Sequence, residues 1–251
     1  MNLSVVLPTY NERGNIVDLI DAIEKQILPL VDTAQIVVVD DNSSDGTAEL
    51  VRERALRAGA MIELFVRTEE RGLASAIRYG LEKCQGDVVV VMDTDFNHDP
   101  KMIPQMIELL KYYDVVIGSR FVMGGGMEEE WRYRFIFLYN LLVRIVIRTQ
   151  VQDNLSGFFA MRRDELIALN LDYIFRGYGE YFIRLLYLAW RQNYKLLEVP
   201  VFYVLRRHGK SKSRFLNMLR DYTACVFDLR LGNWVPLNER VVRSGTELVR
   251  K

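Results

Sequence analysis

Cysteine and histidine are scarce: Cys84, Cys225, His98 and His208 are the whole complement. Four such residues scattered over 251 positions match no zinc or redox spacing, and the histidines lie too far apart in sequence to suggest a His-based metal site. A reduced cytosolic compartment is the expectation. Net charge is also missing, with 33 basic residues against 33 acidic ones. A general nucleic-acid footprint is thereby excluded. No apolar run approaches the roughly eighteen residues that a spanning helix needs. The opening MNLSVVLPTYNE lacks a basic n-region and reads as no signal peptide. Glycine-rich phosphate loops are absent too. The first apolar run ends in Pro8-Thr9-Tyr10-Asn11-Glu12, where a dinucleotide fold or a nucleotide triphosphatase would place its glycines. A diphosphate bound here would need another source of positive charge, which makes a metal more necessary.

What is present is a series of short apolar runs alternating with helical periodicity. Leu3 to Leu7, Ile36 to Val39, Ile62 to Val66, Val88 to Met92 and Val115 to Ile117 read as strands. Between them Ile16, Leu19, Ile20, Ile23 and Ile27 recur at helical spacing, and Gly46 to Arg57, Leu73 to Cys84 and Ile103 to Leu110 look helical. Such alternation predicts an α/β fold: a mostly parallel central sheet with helices on both faces. No internal repeat or low-complexity linker interrupts it. Gly124-Gly125-Gly126, followed by Glu128 to Glu130, reads as a mobile loop rather than a domain boundary.

The most informative stretch is Val88 to Asp95. A buried-strand pattern stops at Asp93 and Asp95, and side chains at i and i+2 of an extended segment point the same way. Open α/β sheets bind ligands at the carboxyl ends of their strands. Two adjacent carboxylates repel unless a cation lies between them, and oxygen ligands suit Mg²⁺ or Mn²⁺ bridging to phosphates. Asn97 is a candidate third oxygen. The second run ends in Asp40-Asp41, residue types that hydrogen-bond ribose hydroxyls or base N–H groups, whereas Asp45 also suits an N-cap.

The later chain changes character. Trp131 to Thr149 is apolar and aromatic but carries Arg132, Arg134, Arg144 and Arg148, and Phe215 to Leu231 has a similar mixture. Both are too charged to cross a membrane. Either they lie on one, with arginines at the headgroup level, or they are ordinary amphipathic helices packed on the core.

Taken in order, PTYNE, VVVDDNSSDGT, RGLASAIRYGL, VVVMDTDFNHDP, Gly118-Ser119-Arg120 and Asp153-Asn154-Leu155-Ser156-Gly157-Phe158-Phe159-Ala160 resemble an inverting family 2 glycosyltransferase of the GT-A fold. The similarity is to its polyprenyl-phosphate, dolichol-phosphate mannose synthase-like branch, and runs from about Met1 to Lys212. The resemblance implies a single catalytic domain over 1–230, with a nucleotide-sugar half at 1–120, an acceptor half at 121–230 bearing membrane-interface helices, and a tail at 231–251. It implies that Pro8, Tyr10, Glu12, Val39 and Asp41 line the nucleotide pocket. Asp93, Thr94 and Asp95 would hold the pyrophosphate and the metal, Mg²⁺ or Mn²⁺, with Asn97 as a further ligand. Arg120 would reach the acceptor phosphate, with Arg132 or Arg134, Asp153 and Ser156 on the acceptor side. Arg206 and Lys212 of the basic segment Arg206 to Lys212 would close over the diphosphate.

One departure stands out: the family has an Arg followed four residues later by Ser, whereas here Ile136 follows Arg132. The function implied is transfer of a hexose from a nucleotide sugar to a polyprenyl phosphate on the cytoplasmic face of a membrane. A membrane-anchored partner subunit is a further expectation. A phosphate monoester acceptor needs no general base. A sugar hydroxyl acceptor would need one, and Asp153 would then be the first candidate. A non-catalytic subunit that retains the fold is the remaining alternative, and the intact acids argue against it.

Overall fold

The protein is described here by a computed structural model covering residues 1–57, 59–204 and 215–232. In chain order the strands are β1 (Asn2–Thr9), β2 (Thr33–Asp40), β3 (Met61–Val66), β4 (Val88–Val91), β5 (Val115–Ser119), β6 (Gly126–Met127), β7 (Phe159–Arg162), β8 (Leu196–Pro200) and β9 (Phe202–Tyr203). The helices are α1 (Ile16–Ile27), α2 (Thr47–Ala55), α3 (Leu73–Lys83), α4 (Ile103–Leu109), α5 (Glu130–Ile147), α6 (Arg163–Ile167), α7 (Leu171–Ile174), α8 (Tyr181–Arg191) and α9 (Phe215–Leu231). Among the described residues a seven-stranded sheet runs β3-β2-β1-β4-β7-β5-β8, and a smaller one pairs β6 with β9. All partners in the large sheet are parallel except β7, which runs against both β4 and β5.

The apolar runs are continuous because both sheet faces are covered. Val5, Leu7, Ile36, Val38, Val88 and Val90 turn to one face, where Ile16, Leu19, Ile20 and Ile23 of α1 and Met106 of α4 meet them. Val6, Val37, Val39, Val89 and Val91 turn to the other, against α3, α8 and α9. The two cores thus follow from the strand period of two.

Register then builds an edge. Thr9 pairs with Asp40, and Val6 with Val91, so β1, β2 and β4 release their following residues on the same side of the sheet. Because β7 is antiparallel and Phe159 pairs with Val91, the segment entering β7 arrives at that same edge. Residues distant in sequence converge there for this reason alone. The mostly parallel α/β sheet is as the periodicity predicts, and among the described residues no helix is long and apolar enough to cross a membrane.

The triglycine is a correction. Gly126 donates its N–H to Val201 O at 3.0 Å and Glu128 to Tyr203 O at 2.9 Å, so the turn at Gly124 and Gly125 leads directly into the hydrogen-bonded β6 rather than into a loose loop. A Cβ on Gly125 would lie 2.5 Å from Ser119 O, and one on Gly126 would lie 2.8 Å from the Phe202 ring. Close approach requires glycine at 125 and 126, and a φ of 91° favours it at 124.

Candidate active site

A cavity of about 490 Å³ opens at this edge. Its walls bring together Pro8, Tyr10 and Glu12 after β1, Asp41 after β2, Asp93, Thr94 and Asp95 after β4, Ser156 before β7 and Arg132 of α5. Nine of the residues singled out from sequence thus share one space.

The acid pair is held from below. Asp95 is buried, and its carboxylate accepts from Asn97 N–H at 3.1 Å and from Asn97 Nδ2 at 2.9 Å. Thr94 Oγ1 donates to Pro8 O at 3.4 Å. Asp93 keeps a side chain that is 40% exposed. The turn between the acids and Asn97 requires Phe96 at φ 63°, a left-handed conformation costly for a bulky residue. Asn97 does not itself line the cavity, and its amide nitrogen is committed to Asp95. It holds the Asp95 carboxylate in place through these two bonds. Among the described residues no cluster of three or more His, Cys, Asp or Glu is arranged to hold a metal. Two carboxylates side by side at a cavity wall nevertheless fit Mg²⁺ or Mn²⁺, which bind one or two carboxylates and complete their shell with water and phosphate oxygens.

Asp41 is a second fixed point. Arg67 Nε donates to Asp41 Oδ1 at 2.8 Å, Arg67 Nη2 donates to the same oxygen, and Gly72 N–H donates to Oδ2 at 2.8 Å. Asp40 is fully buried and serves the turn, accepting from Ser43 and Thr9. Glu12 accepts from Asn15 Nδ2 at 2.8 Å. Val39 lies in the core, where it would meet a Cβ placed on Gly80 of α3, and does not face the cavity.

The acceptor side departs from expectation more sharply. Arg120 is buried and does not line the cavity. Its main-chain N–H donates to Asp153 Oδ2 at 3.0 Å, its Nε to the same oxygen at 2.7 Å, and its Nη2 to Oδ1 at 2.7 Å. Burial opposes the charge, but the Asp153 carboxylate more than offsets it and holds the guanidinium above its ordinary range. Asp153, fully buried, also accepts from Leu155 N–H at 3.3 Å. Neither residue lines the cavity: they form one buried ion pair. Arg134 is exposed on the outer face of α5, with Glu130 as partner at 3.4 Å. Arg132 is therefore the α5 arginine at the cavity, where it also meets Glu129 at 3.1 Å. Arg206 and Lys212 lie outside the described residues.

Sequence reasoning left several lining residues unassigned. Arg71 sits at the wall with its guanidinium 5.4 Å from the Tyr10 ring centroid. Leu73, Ala76, Leu155, Phe182 and Met218 supply apolar surface, and Tyr178, Tyr181 and Tyr222 complete the wall. Burial pushes the phenols of Tyr181 and Tyr222 above their ordinary range, so both stay protonated. Arg71 stood inside a quoted motif. So did Leu73 and Ala76 of α3 and Leu155, whereas Tyr181 and Phe182 of α8 and Met218 and Tyr222 of α9 come from helices that no motif marks.

Known proteins are similar to this chain in sequence and in fold. The model of the family described as glycosyl transferase family 2 matches residues 4–169. A dolichol-phosphate mannosyltransferase of Pyrococcus furiosus is 35% identical over 249 residues, 97% of this chain and 67% of the relative. An undecaprenyl-phosphate mannosyltransferase of Micrococcus luteus is 33% identical, over 84% of this chain and 87% of the relative. Among solved structures, glucosyl-3-phosphoglycerate synthase from Mycobacterium tuberculosis, in complex with Mn²⁺, uridine diphosphate and phosphoglyceric acid, aligns with a TM-score of 0.70 at 22% identity, covering 91% of this chain and 78% of that one. The chain belongs to glycosyl transferase family 2: it is a glycosyltransferase of the GT-A fold, similar to the dolichol-phosphate and undecaprenyl-phosphate mannosyltransferases.

Proposed function

We propose that the protein transfers a hexose from a nucleotide sugar to a polyprenyl phosphate, with Mg²⁺ or Mn²⁺, on the cytoplasmic surface of a membrane. The observation that carries this reading is α5. One of its arginines, Arg132, lines the cavity, while its outer face exposes Trp131, Leu138, Leu142 and Ile145. An exposed apolar stripe of this kind, flanked by Arg134 and Arg148, suits an acyl and headgroup boundary. α9 packs beside it through Tyr139 and Thr223, 3.0 Å apart, and adds exposed Phe227 and Leu231. A lipid whose chain follows this face would bring its phosphate to Arg132.

The distribution of charge supports a phosphate acceptor. Among the described residues the cavity's carboxylates are Glu12, Asp41, Asp93 and Asp95, all on the strand-end wall. Asp153, the base that a hydroxyl acceptor would need, is enclosed by Arg120. A phosphate monoester is already an anion and asks only for positioning. A metal bound at Asp93 and Asp95 would neutralise charge gathering on the departing diphosphate. Glu12, Asp41 and Tyr10 would hold the nucleoside, and the apolar wall of Leu155 and Phe182 would keep water from the sugar carbon. The acceptor side of the reading draws on relatives named for lipid phosphates, and the donor side on a neighbour crystallised with uridine diphosphate and Mn²⁺.

Replacing Arg132 by alanine is expected to lower transfer to a polyprenyl phosphate by about a hundredfold, the loss typical of one aimed charge. Hydrolysis of the donor by water should change far less, because that reaction does not use the acceptor wall. Equal losses in both reactions would refute an acceptor role for Arg132. The membrane part has its own check. Sedimentation with vesicles should show binding that strengthens with anionic lipid and weakens with salt. A Trp131→Glu, Leu138→Glu variant should lose it. Indifference of the wild-type protein to vesicles of every composition would contradict the surface assignment.

A further inference from the structure

His98 is the histidine of the described residues, and it is fully buried beside the acid turn. Its ring stacks on Phe158, with centroids 4.8 Å apart and planes 10° from parallel. The sheet ladder of β4 ends just before it. Met92 N–H still donates to Val6 O at 3.3 Å, but the next N–H, that of Asp93, leaves the sheet and donates to His98 Nδ1 at 2.8 Å. His98 Nε2 lies 2.7 Å from Tyr203 Oη.

Hydrogen bookkeeping fixes the tautomer. A main-chain N–H can only donate, so Nδ1 is the bare nitrogen and the ring proton sits on Nε2. Nε2–H then donates to Tyr203 Oη, and the Tyr203 hydroxyl donates onward to Ser156 O at 3.2 Å. One orientation of hydrogens satisfies the whole chain. Burial, against the pull of Asp95, lowers the imidazole pKa to about 4, which keeps the ring neutral. The chain begins at the main chain of the first acid and ends at Ser156 on the same cavity. A phenylalanine could fill the space between Phe158 and Tyr203, but it would bond neither neighbour.

We propose that His98 is a positioning residue for the divalent cation and diphosphate: it fixes the Asp93 main chain, so that the two carboxylates are aimed, and ties this turn through Tyr203 to Ser156. The inference rests on the reading of Asp93 and Asp95 as metal ligands. Side chains that orient ligands typically change metal affinity by roughly 10–100-fold when removed.

The test is a Mn²⁺ titration followed by the electron paramagnetic resonance signal of the free ion, with saturating GDP in one series and UDP in another. Wild type, Asp95→Asn, His98→Phe, His98→Asn and Tyr203→Phe are compared, with folding checked by thermal melting without metal. The amide oxygen of asparagine falls where Nδ1 lies, so His98→Asn can still accept from Asp93 N–H. His98→Phe is expected to weaken Mn²⁺ binding by roughly 10–100-fold, His98→Asn to recover most of it, and Tyr203→Phe to lose roughly tenfold. Wild-type affinity in folded His98→Phe, or an asparagine variant no better than the phenylalanine one, would overturn the proposal. Should His98→Phe not fold, unchanged affinity in Tyr203→Phe would overturn it equally. If Asp95→Asn loses Mn²⁺ while the His98 variants keep it, only the role of His98 fails. If wild type binds no Mn²⁺ with either nucleotide, the metal reading and this inference fall together.

Discussion

Replacing Asp95 by alanine is expected to lower nucleotide-sugar turnover by about a thousandfold or more while leaving the protein folded. The size of the effect follows from geometry. Asp95 is buried at the cavity wall, next to Asp93, with Asn97 holding its carboxylate in place. Two like charges are kept this close where a cation compensates them. Removing one leaves a site with half its anionic ligands and a diphosphate with nothing to offset the charge it gains on leaving. Chelation should act the same way on the wild-type enzyme, and added Mg²⁺ or Mn²⁺ should restore it. Full turnover after exhaustive chelation would rule the metal out. Unchanged donor affinity in both Asp95→Ala and Asp93→Asn would reduce the pair to an ordinary turn.

The second large effect is structural. Arg120→Ala is expected to destabilise the protein by about 3–5 kcal/mol, the usual consequence of stranding a buried charge. In a domain of this size that is a fall in melting temperature of roughly 6–20 °C. The cause is Asp153, which is fully buried and would lose the side-chain bonds of 2.7 Å from Arg120 Nε and Nη2. Arg120→Lys should not rescue, because an ammonium cannot make the paired contact of a guanidinium. The double change Arg120→Ala, Asp153→Ala should cost less than the sum of the two single changes, since no orphan charge remains. Additive losses would mean that the two residues are not coupled. Wild-type stability in Arg120→Ala with a selective loss of lipid transfer would restore Arg120 to the acceptor site.

That pair illustrates what a sequence can carry. Arg120 and Asp153 are 33 residues apart, each inside a recognisable motif, one of a type suited to an acceptor phosphate and the other to a general base. Only the antiparallel insertion of β7 between β4 and β5 brings the segment preceding it against the end of β5. The acid pair was legible for the opposite reason: it is local, both carboxylates lying in the one short turn that leaves β4. The same holds for Pro8, Tyr10, Glu12 and Asp41, which need only parallel neighbours in the order the alternation implies.

Other elements were harder to read. Residues Tyr181 to Ala189 of α8 are all buried, and no motif marks the helix as part of a site. β7 is short and follows a turn-rich motif, and β6 is disguised as a flexible triglycine. His98 was set aside because one histidine offers no ligand cluster. Its use depends on Tyr203, 105 residues away, and no pattern in either segment records that contact.

The central claim is the acceptor. The most direct measurement offers radiolabelled GDP-mannose, UDP-glucose and UDP-GlcNAc in turn, with Mn²⁺, to a short polyprenyl phosphate, to the matching free polyprenol and to a sugar hydroxyl. Label is then followed into the organic phase. The account predicts lipid-linked label from at least one donor with the phosphate, none with the free alcohol, and loss of the signal in Arg132→Ala. Transfer to the free alcohol or the sugar, with none to the lipid phosphate, would contradict it.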